Sequence, residues 1–428
     1  MRIFSFESKR LIKKKTTRVM LMLSILAVST IYLLHFNLAE QVQKKVTNHN
    51  DFLIDLYKQD QVDWEIKKKE AQRAKDEEVL EEATFMEEHA RSTHEHYLMM
   101  KEAYQNEDWK KIFQHELKQL KLFAYPPPEE PADANFENQE ITNFTLRASY
   151  EEVKYMLEND IKPFMQNITT NMYLPTIYDS FSGRTLALWQ EETKRYGREG
   201  IYYLYQLIQS LYIPIIILIG SFIFGNTFSS DTKKNNHIRF YQVLPLHRTK
   251  LFFTKYVTGY LGILLFVLIM LGVPIAVGTI MHGFGDLKYP ILVYDGYTTE
   301  YMNRNIVEDT FHFIPLQKYL TQTLVLAIVM SLLIYTMYFL VSQFIKEPIF
   351  NMIIVGILTF VGTLISHPYN PFSYIDTDKV ITHEIQLQTL NTDFTMTMGI
   401  IVTLGLSLVF MALNYISFKY NSRNDGGG

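Results

Sequence analysis

The 428-residue chain contains no cysteine. This absence excludes disulfide scaffolds, cysteine nucleophiles and zinc sites built from thiolates. The pattern GxxxxGK[ST] is also missing, so the chain is not expected to bind ATP through a P-loop or to act as an ATPase. A formal net charge of only -4 gives no broad argument for binding nucleic acid.

Charged residues are scarce in six apolar blocks of the chain. A block of about 20 apolar residues is long enough to cross the hydrocarbon core of a bilayer as a helix. We therefore predict an all-α membrane protein with six transmembrane helices plus a helical extracytoplasmic domain. The predicted spans are 19–38, 201–228, 251–281, 319–345, 348–366 and 398–418.

Lysine and arginine near the span ends predict the orientation, because cytoplasmic loops carry an excess of both. They occur before the first span, in the loop 229–250, at Lys346 and in the tail 419–428. Both termini are then cytoplasmic. The segments predicted outside are 39–200, 282–318 and 367–397, the last as an external or re-entrant segment.

Residues 1–18 alternate apolar and basic side chains, which is typical of an amphipathic helix on the inner leaflet. A simple basic flank that sets the topology is the alternative.

Residues 40–125 contain neither glycine nor proline, and their apolar residues recur at helical spacing. We predict two or three long amphipathic helices packed as a hairpin, followed by a second helical portion over 150–198. His89, His94 and His96 cluster there without the i,i+4 spacing of a helical metal site. We interpret them as solvated helix surface and predict no metal site.

The loop between the second and third predicted spans has the most informative pattern. Asp231 follows the span, Leu244-Pro245-Leu246 comes next, and His247, Arg248 and Lys250 lead into the third span. Proline suits the first turn of a short helix, and the basic side chains suit lipid headgroups. This stretch resembles the ABC-2 type permease family, which commonly has an acid, a Gly-Thr and a Leu-Pro-hydrophobic-x-Arg-x-Lys run here. The Gly-Thr is absent from this chain, which has Asn236-His237 instead.

The resemblance implies that this loop couples the chain to a motor subunit and that the chain is the transmembrane permease subunit of an ABC exporter. ATP and Mg would be bound by separate ABC ATPase subunits, and this chain would bind no cofactor. The other partners implied are a second permease copy or a related permease, membrane lipid and the exported cargo. A peptide, lantibiotic or toxin is the expected cargo. The location implied is the plasma membrane of a Gram-positive bacterium.

Polar residues at the start of the second predicted span suggest a substrate pathway. Tyr202, Gln206 and Gln209 share one helix face and could line its outward part. The alternative is an aromatic belt at the membrane interface.

Two other functions compete with the exporter. One is a membrane-anchored sensor or assembly scaffold whose external helices bind a partner. The other is an ion-driven secondary transporter, which predicts paired acids in mid-span, and the predicted spans contain none.

Overall fold

The computed structural model describes residues 2–125, 141–168, 171–227, 248–295 and 310–424. The protein is mostly helical, with little sheet. Among these described residues, four helices are long and apolar enough to cross a membrane, judged by length and composition, and they identify a membrane protein. A pair of shorter helices separated by a sharp bend is equivalent to a fifth span if the two are counted together.

The N-terminal part consists of α1 (Arg2–Lys13) and α2 (Lys15–Ala74). At 60 residues, α2 is one continuous helix about 90 Å long. The predicted span 19–38 forms its first part, and the helix continues without interruption into the polar sequence beyond. The predicted boundary at residue 39 therefore lies inside a helix, and the point at which this helix leaves the membrane stays a prediction.

Two further helices, α3 (Glu77–Gln105) and α4 (Trp109–Ala124), complete the predicted hairpin. Lys75 makes the turn out of α2 in the left-handed conformation, with φ 57°. Asp76 then caps α3, since its side chain accepts a hydrogen bond of 3.3 Å from the Val79 backbone N–H. Helix α3 packs against the later part of α2, and the Tyr57 and Tyr97 rings stack between them.

The next part contains α5 (Asn143–Glu158), β1 (Met165–Gln166), α6 (Gly183–Thr193) and β2 (Arg195–Tyr196). Strands β1 and β2 pair antiparallel. The second helical portion predicted over 150–198 is therefore only partly helical. Asp160 has a left-handed φ of 53° just after α5, and Pro163 cannot donate a helical hydrogen bond.

The predicted second span, 201–228, is not one straight helix. It forms α7 (Gly200–Gln209) and α8 (Tyr212–Phe224), which meet at an angle of 84°. Between them, Leu211 has a left-handed φ of 59°, a conformation that ends the first helix. The structure therefore has a broken span or a re-entrant element at this position.

The remaining elements contain the other predicted spans. They are α9 (Arg248–His282), β3 (Pro290–Tyr294), β4 (Phe311–Pro315), α10 (Leu316–Phe344), α11 (Pro348–Thr363), a 3₁₀ turn (Pro371–Tyr374), α12 (Thr377–Ile381), α13 (Glu384–Thr389) and α14 (Met396–Asn424). Helices α9, α10 and α14 are long enough to span, as predicted. Helix α11 has 16 residues, about 24 Å, and is shorter than a typical bilayer core.

Strands β3 and β4 form a second antiparallel sheet, so the protein is not all-α as predicted. This sheet brings together the described parts of three segments that the sequence predicts on one side of the membrane. The Tyr294 backbone N–H donates to the Thr382 carbonyl at 3.0 Å, and its hydroxyl accepts from the Ile177 backbone N–H at 3.3 Å. Which side of a membrane this unit faces stays a prediction.

Helix α1 packs against α9. Leu11 and Glu7 are buried, whereas Phe6 and Ile12 are exposed, so α1 has an uncovered apolar face. This pattern agrees with an amphipathic helix, but its position on a leaflet stays a prediction.

Helices α7 and α9 cross at two glycines. A Cβ atom added at Gly278 would lie 2.5 Å from the Cα atom of Gly200. The backbone N–H groups of Gly200 and Ile201 donate to the carbonyls of Gly283 and Phe284, at 3.0 and 2.9 Å. Small residues allow this close approach, which fixes α7 against the end of α9.

Substituting Gly278→Ala should destabilise the protein by about 1–3 kcal/mol, because the added methyl group overlaps the α7 backbone. Gly272→Ala is the matched control in the same helix, since a Cβ atom there meets nothing within 4 Å. Thermal unfolding of both variants in detergent tests this prediction. Equal unfolding temperatures for the two would contradict the close crossing.

A second prediction concerns Glu116 of α4, whose carboxylate accepts a hydrogen bond of 2.8 Å from the Met172 backbone N–H. Burial raises the pKa of Glu116 from 4.5 to about 7, although that hydrogen bond opposes the shift. The stability from this protonated carboxyl is therefore complete below pH 4.5 and lost as the pH rises through about 7.

In the Glu116→Gln variant, the free energy of unfolding should lose as much as about 3 kcal/mol of its pH dependence. The glutamine side-chain oxygen keeps the hydrogen-bond acceptor. Unfolding temperatures between pH 5 and 8 measure this loss, with the exposed Glu102→Gln as control. A variant whose pH profile overlays that of the wild type would refute this account of Glu116.

Candidate binding cavity

A cavity of about 600 Å³ lies where the broken span meets the polar part of the protein. Tyr205, Gln206, Gln209 and Ser210 contribute one wall, directly before the bend at Leu211. Helices α5 and α6, strands β2 and β3, and the segment around α12 supply the others. The aromatic side chains that line it are Phe164, Phe181, Trp189, Tyr205, Tyr289 and Tyr294.

An ion pair joins the walls of the cavity. The Arg195 guanidinium donates from both terminal nitrogens to the two Glu152 carboxylate oxygens, each at 2.6 Å. The Tyr289 hydroxyl accepts from Arg195 at 2.8 Å and donates to Glu152 at 3.1 Å. Only 1% of the Glu152 side chain and 16% of the Arg195 side chain are exposed. The cluster therefore links α5, β2 and the residue just before β3 in a largely buried setting.

The guanidinium of Arg195 has no donor left over. Its Nε donates to the Gln166 side-chain oxygen at 3.2 Å, and a terminal nitrogen donates to the Tyr173 carbonyl at 3.3 Å. With the two bonds to Glu152 and the one to Tyr289, all five N–H groups are used. Burial disfavours the cation, but the Glu152 carboxylate outweighs this effect and raises the pKa of Arg195.

Asp179 is a second charged group of the lining. Its carboxylate accepts from the Thr145 hydroxyl at 2.6 Å and from the backbone N–H groups of Thr176 and Thr142, at 2.9 and 3.3 Å. Burial raises the pKa of Asp179, while these hydrogen bonds oppose the shift. All three donors are neutral, so the charge of Asp179 is solvated by dipoles.

Asp378 and Glu384 form the acidic end of the cavity. Asp378 accepts a hydrogen bond of 2.7 Å from the Tyr319 hydroxyl at the start of α10. Burial raises the pKa of Asp378 to about 7, and that bond opposes the shift. Glu384 accepts from the Gln388 amide at 2.6 Å and lies 3.5 Å from the Lys379 ammonium. Burial raises the pKa of Glu384 as well.

Two of the three predicted pathway residues line this cavity. Gln206 is fully engaged there, since its oxygen accepts from Gly197 N–H at 2.7 Å and lies 2.5 Å from His35 Nε2, and its amide donates to the Arg195 carbonyl. The Gln209 amide donates to the Tyr205 hydroxyl at 2.9 Å. Tyr202, by contrast, is fully buried, and its hydroxyl donates to the Lys162 carbonyl at 2.7 Å. Tyr202 is therefore a packing residue outside the lining.

Most of the predicted coupling residues lie outside the described residues. These are Asp231, Leu244, Pro245, Leu246 and His247. Arg248 is the first residue of α9, and Lys250 lies exposed in its first turn. The coupling role of the loop stays a prediction.

The sequence interpretation missed the importance of Arg195, Glu152 and Tyr289, since they are far apart in the chain and form no motif. The histidine cluster also differs from expectation. His96 is half-buried, and its ring lies 4.3 Å from that of His115 of α4. Within the described ranges, no group of three or more His, Asp or Glu side chains is arranged to hold a metal ion.

Comparison of the chain with protein-family models, with curated proteins and with solved structures finds no match.

The ion pair gives a prediction about stability. Glu152→Gln should cost about 3–5 kcal/mol, because it leaves the buried Arg195 cation without its counter-charge. Glu191→Gln removes the partner of Lys45 at 2.8 Å in an exposed pair and should leave the unfolding temperature unchanged. Thermal unfolding compares them, and a similar small effect of both substitutions would show that the Arg195 cluster is not structural.

Proposed function

We propose that the chain is the transmembrane permease subunit of an ABC exporter that uses ATP hydrolysed by separate subunits. The observation that carries the proposal is the broken span, α7 with α8, whose 84° bend lies at the cavity. Non-helical backbone at a span is tolerated where it is buried in protein or lines a cavity, and transporters place substrate sites at such breaks.

The sequence of the loop 229–250 supports the ATP-driven class. Its Leu244-Pro245-Leu246 run with Arg248 and Lys250 resembles the coupling segment of ABC-2 type permeases. The end of the bundle that holds Lys250 is opposite to the cavity, since α9 runs from Arg248 to His282 near α7. A motor acting on this loop could thus move α9, to which α7 is fixed at Gly200 and Gly278.

In this proposal six segments enter the membrane, with α11 and the α7–α8 pair as incomplete or broken spans. Both termini and the loop 229–250 face the cytoplasm, and the hairpin and the cavity face outward. The cargo proposed is an amphipathic or hydrophobic peptide, such as a lantibiotic or a toxin. A second permease copy or related chain completes the pathway.

A membrane-anchored sensor or assembly scaffold is the second candidate. It is favoured by α2, which runs unbroken from its apolar first part into the hairpin. Such a helix could transmit a contact made on the hairpin directly to the membrane. This function needs neither an ATPase nor the loop 229–250.

Affinity purification from the native host in mild detergent distinguishes the two. The exporter predicts recovery of a P-loop ATPase with the wild type and a loss of about tenfold or more on combining Pro245→Ala with Arg248→Ala, if the loop contributes a few kcal/mol to the contact. Lys288→Ala changes an exposed basic residue between the far end of α9 and β3; it is the control and should retain the ATPase. Preparations that contain no ATPase, alike for wild type and variants, would favour the scaffold.

A further inference from the structure

Acidic side chains outnumber basic ones in the lining of the cavity. The lining contains four carboxylates and two cations, namely Glu152, Asp179, Asp378 and Glu384 against Lys194 and Arg195. Arg195 is neutralised by Glu152 and has used every donor. An anionic ligand would therefore find no free guanidinium in the cavity.

Unlike Arg195, two of the acidic side chains in the lining have no partner of opposite charge within salt-bridge distance in the described ranges. In the part of the chain that the structure describes, neither Asp179 nor Asp378 forms a salt bridge with a lysine or arginine. The nearest cation to this end, Lys379, lies against Glu384 and the Gln388 side-chain oxygen, at 3.5 and 3.3 Å. The Lys194 ammonium lies over the Tyr196 ring, 5.4 Å from its centroid. Two half-buried carboxyl groups of the lining thus form no salt bridge with a lysine or arginine of the described residues.

Aromatic side chains are the second feature of the lining that suits an organic cation. The rings of Trp189, Tyr205, Tyr289 and Tyr294 line the same space. Ring faces attract organic cations, and more strongly where water is excluded. Together with the absence of any metal-binding group among the described residues, this lining suits an ammonium group on an apolar body better than a bare metal ion.

We propose that the cavity binds a primary ammonium group attached to an apolar body, with Asp378 and Asp179 as its counter-charges and the aromatic rings as its walls. If the proposed exporter function holds, the bound group is part of the cargo, such as a lysine side chain or an amino terminus of an amphipathic peptide. The geometry assigns Asp378 and Asp179 to ligand binding and Arg195 to holding the walls together.

Binding is tested with the full chain in lipid nanodiscs and with dansylcadaverine, an aromatic primary amine, as the probe. Its N-acetylated form has the same aromatic group and no charge. Trp189 in the lining can transfer excitation energy to the bound dansyl group, and Trp189→Phe identifies that share of the signal. We expect saturable binding of the amine and affinity at least about tenfold weaker for the acetylated probe, since a hydrogen bond to a charged group is lost.

Asp378→Asn and Asp179→Asn should each weaken binding of the amine by about tenfold, because each removes one counter-charge and keeps the size of the side chain. Asp393→Asn, an exposed acid outside the lining, is the matched control and should change nothing. Thermal unfolding shows whether each variant folds, and either folded variant by itself tests the proposal together with the two probes. Equal affinity for the two probes, or unchanged affinity in the folded acid variants, would overturn the proposal.

No ATPase is present in this assay. Loss of amine binding and loss of ATPase recovery are therefore separate results, and either proposal can fail while the other stands.

Discussion

The structure around the cavity depends on one buried ion pair. Arg195 and Glu152 lie 43 positions apart in the chain, and their two hydrogen bonds of 2.6 Å join β2 to α5. Tyr289 adds β3 to the same cluster, and the Gln206 amide, bonded to the Arg195 carbonyl, adds α7. A buried pair of this kind contributes little net stability to the fold, but removing one partner is strongly destabilising. The pair therefore disfavours any rearrangement that would separate the four elements.

That arrangement determines what the cavity can bind. Because Glu152 takes the charge and the donors of Arg195, the remaining acids of the lining determine its electrostatic character. Asp179 and Asp378 are kept in place by neutral hydroxyl and amide donors, which orient the carboxyl groups without supplying a positive charge. The same residues that stabilise the fold therefore leave the cavity selective for positive charge.

The close contact of α7 with α9 relates the cavity to the rest of the bundle. Gly200 and Gly278 allow the two backbones to touch, while α8 turns away after Leu211. The proposed exporter would use this contact, since α9 begins at the loop that resembles a coupling segment and ends against α7, which contributes one wall of the cavity. The hairpin continues directly from the apolar first part of α2 within one uninterrupted helix.

The sequence by itself determined the helical class, the long apolar segments and the helical hairpin, because apolar block length and helical periodicity are local properties of the chain. It also pointed to Gln206 and Gln209, since polar residues near an apolar block are unusual; both line the cavity, and their part in a substrate pathway stays a prediction. Only the tertiary structure decided the break at Leu211, the two small sheets, the burial of Tyr202 and the pairing of Arg195 with Glu152. These features arise from contacts between residues distant in the chain, where packing overrides local preference, and no spacing in the sequence encodes them.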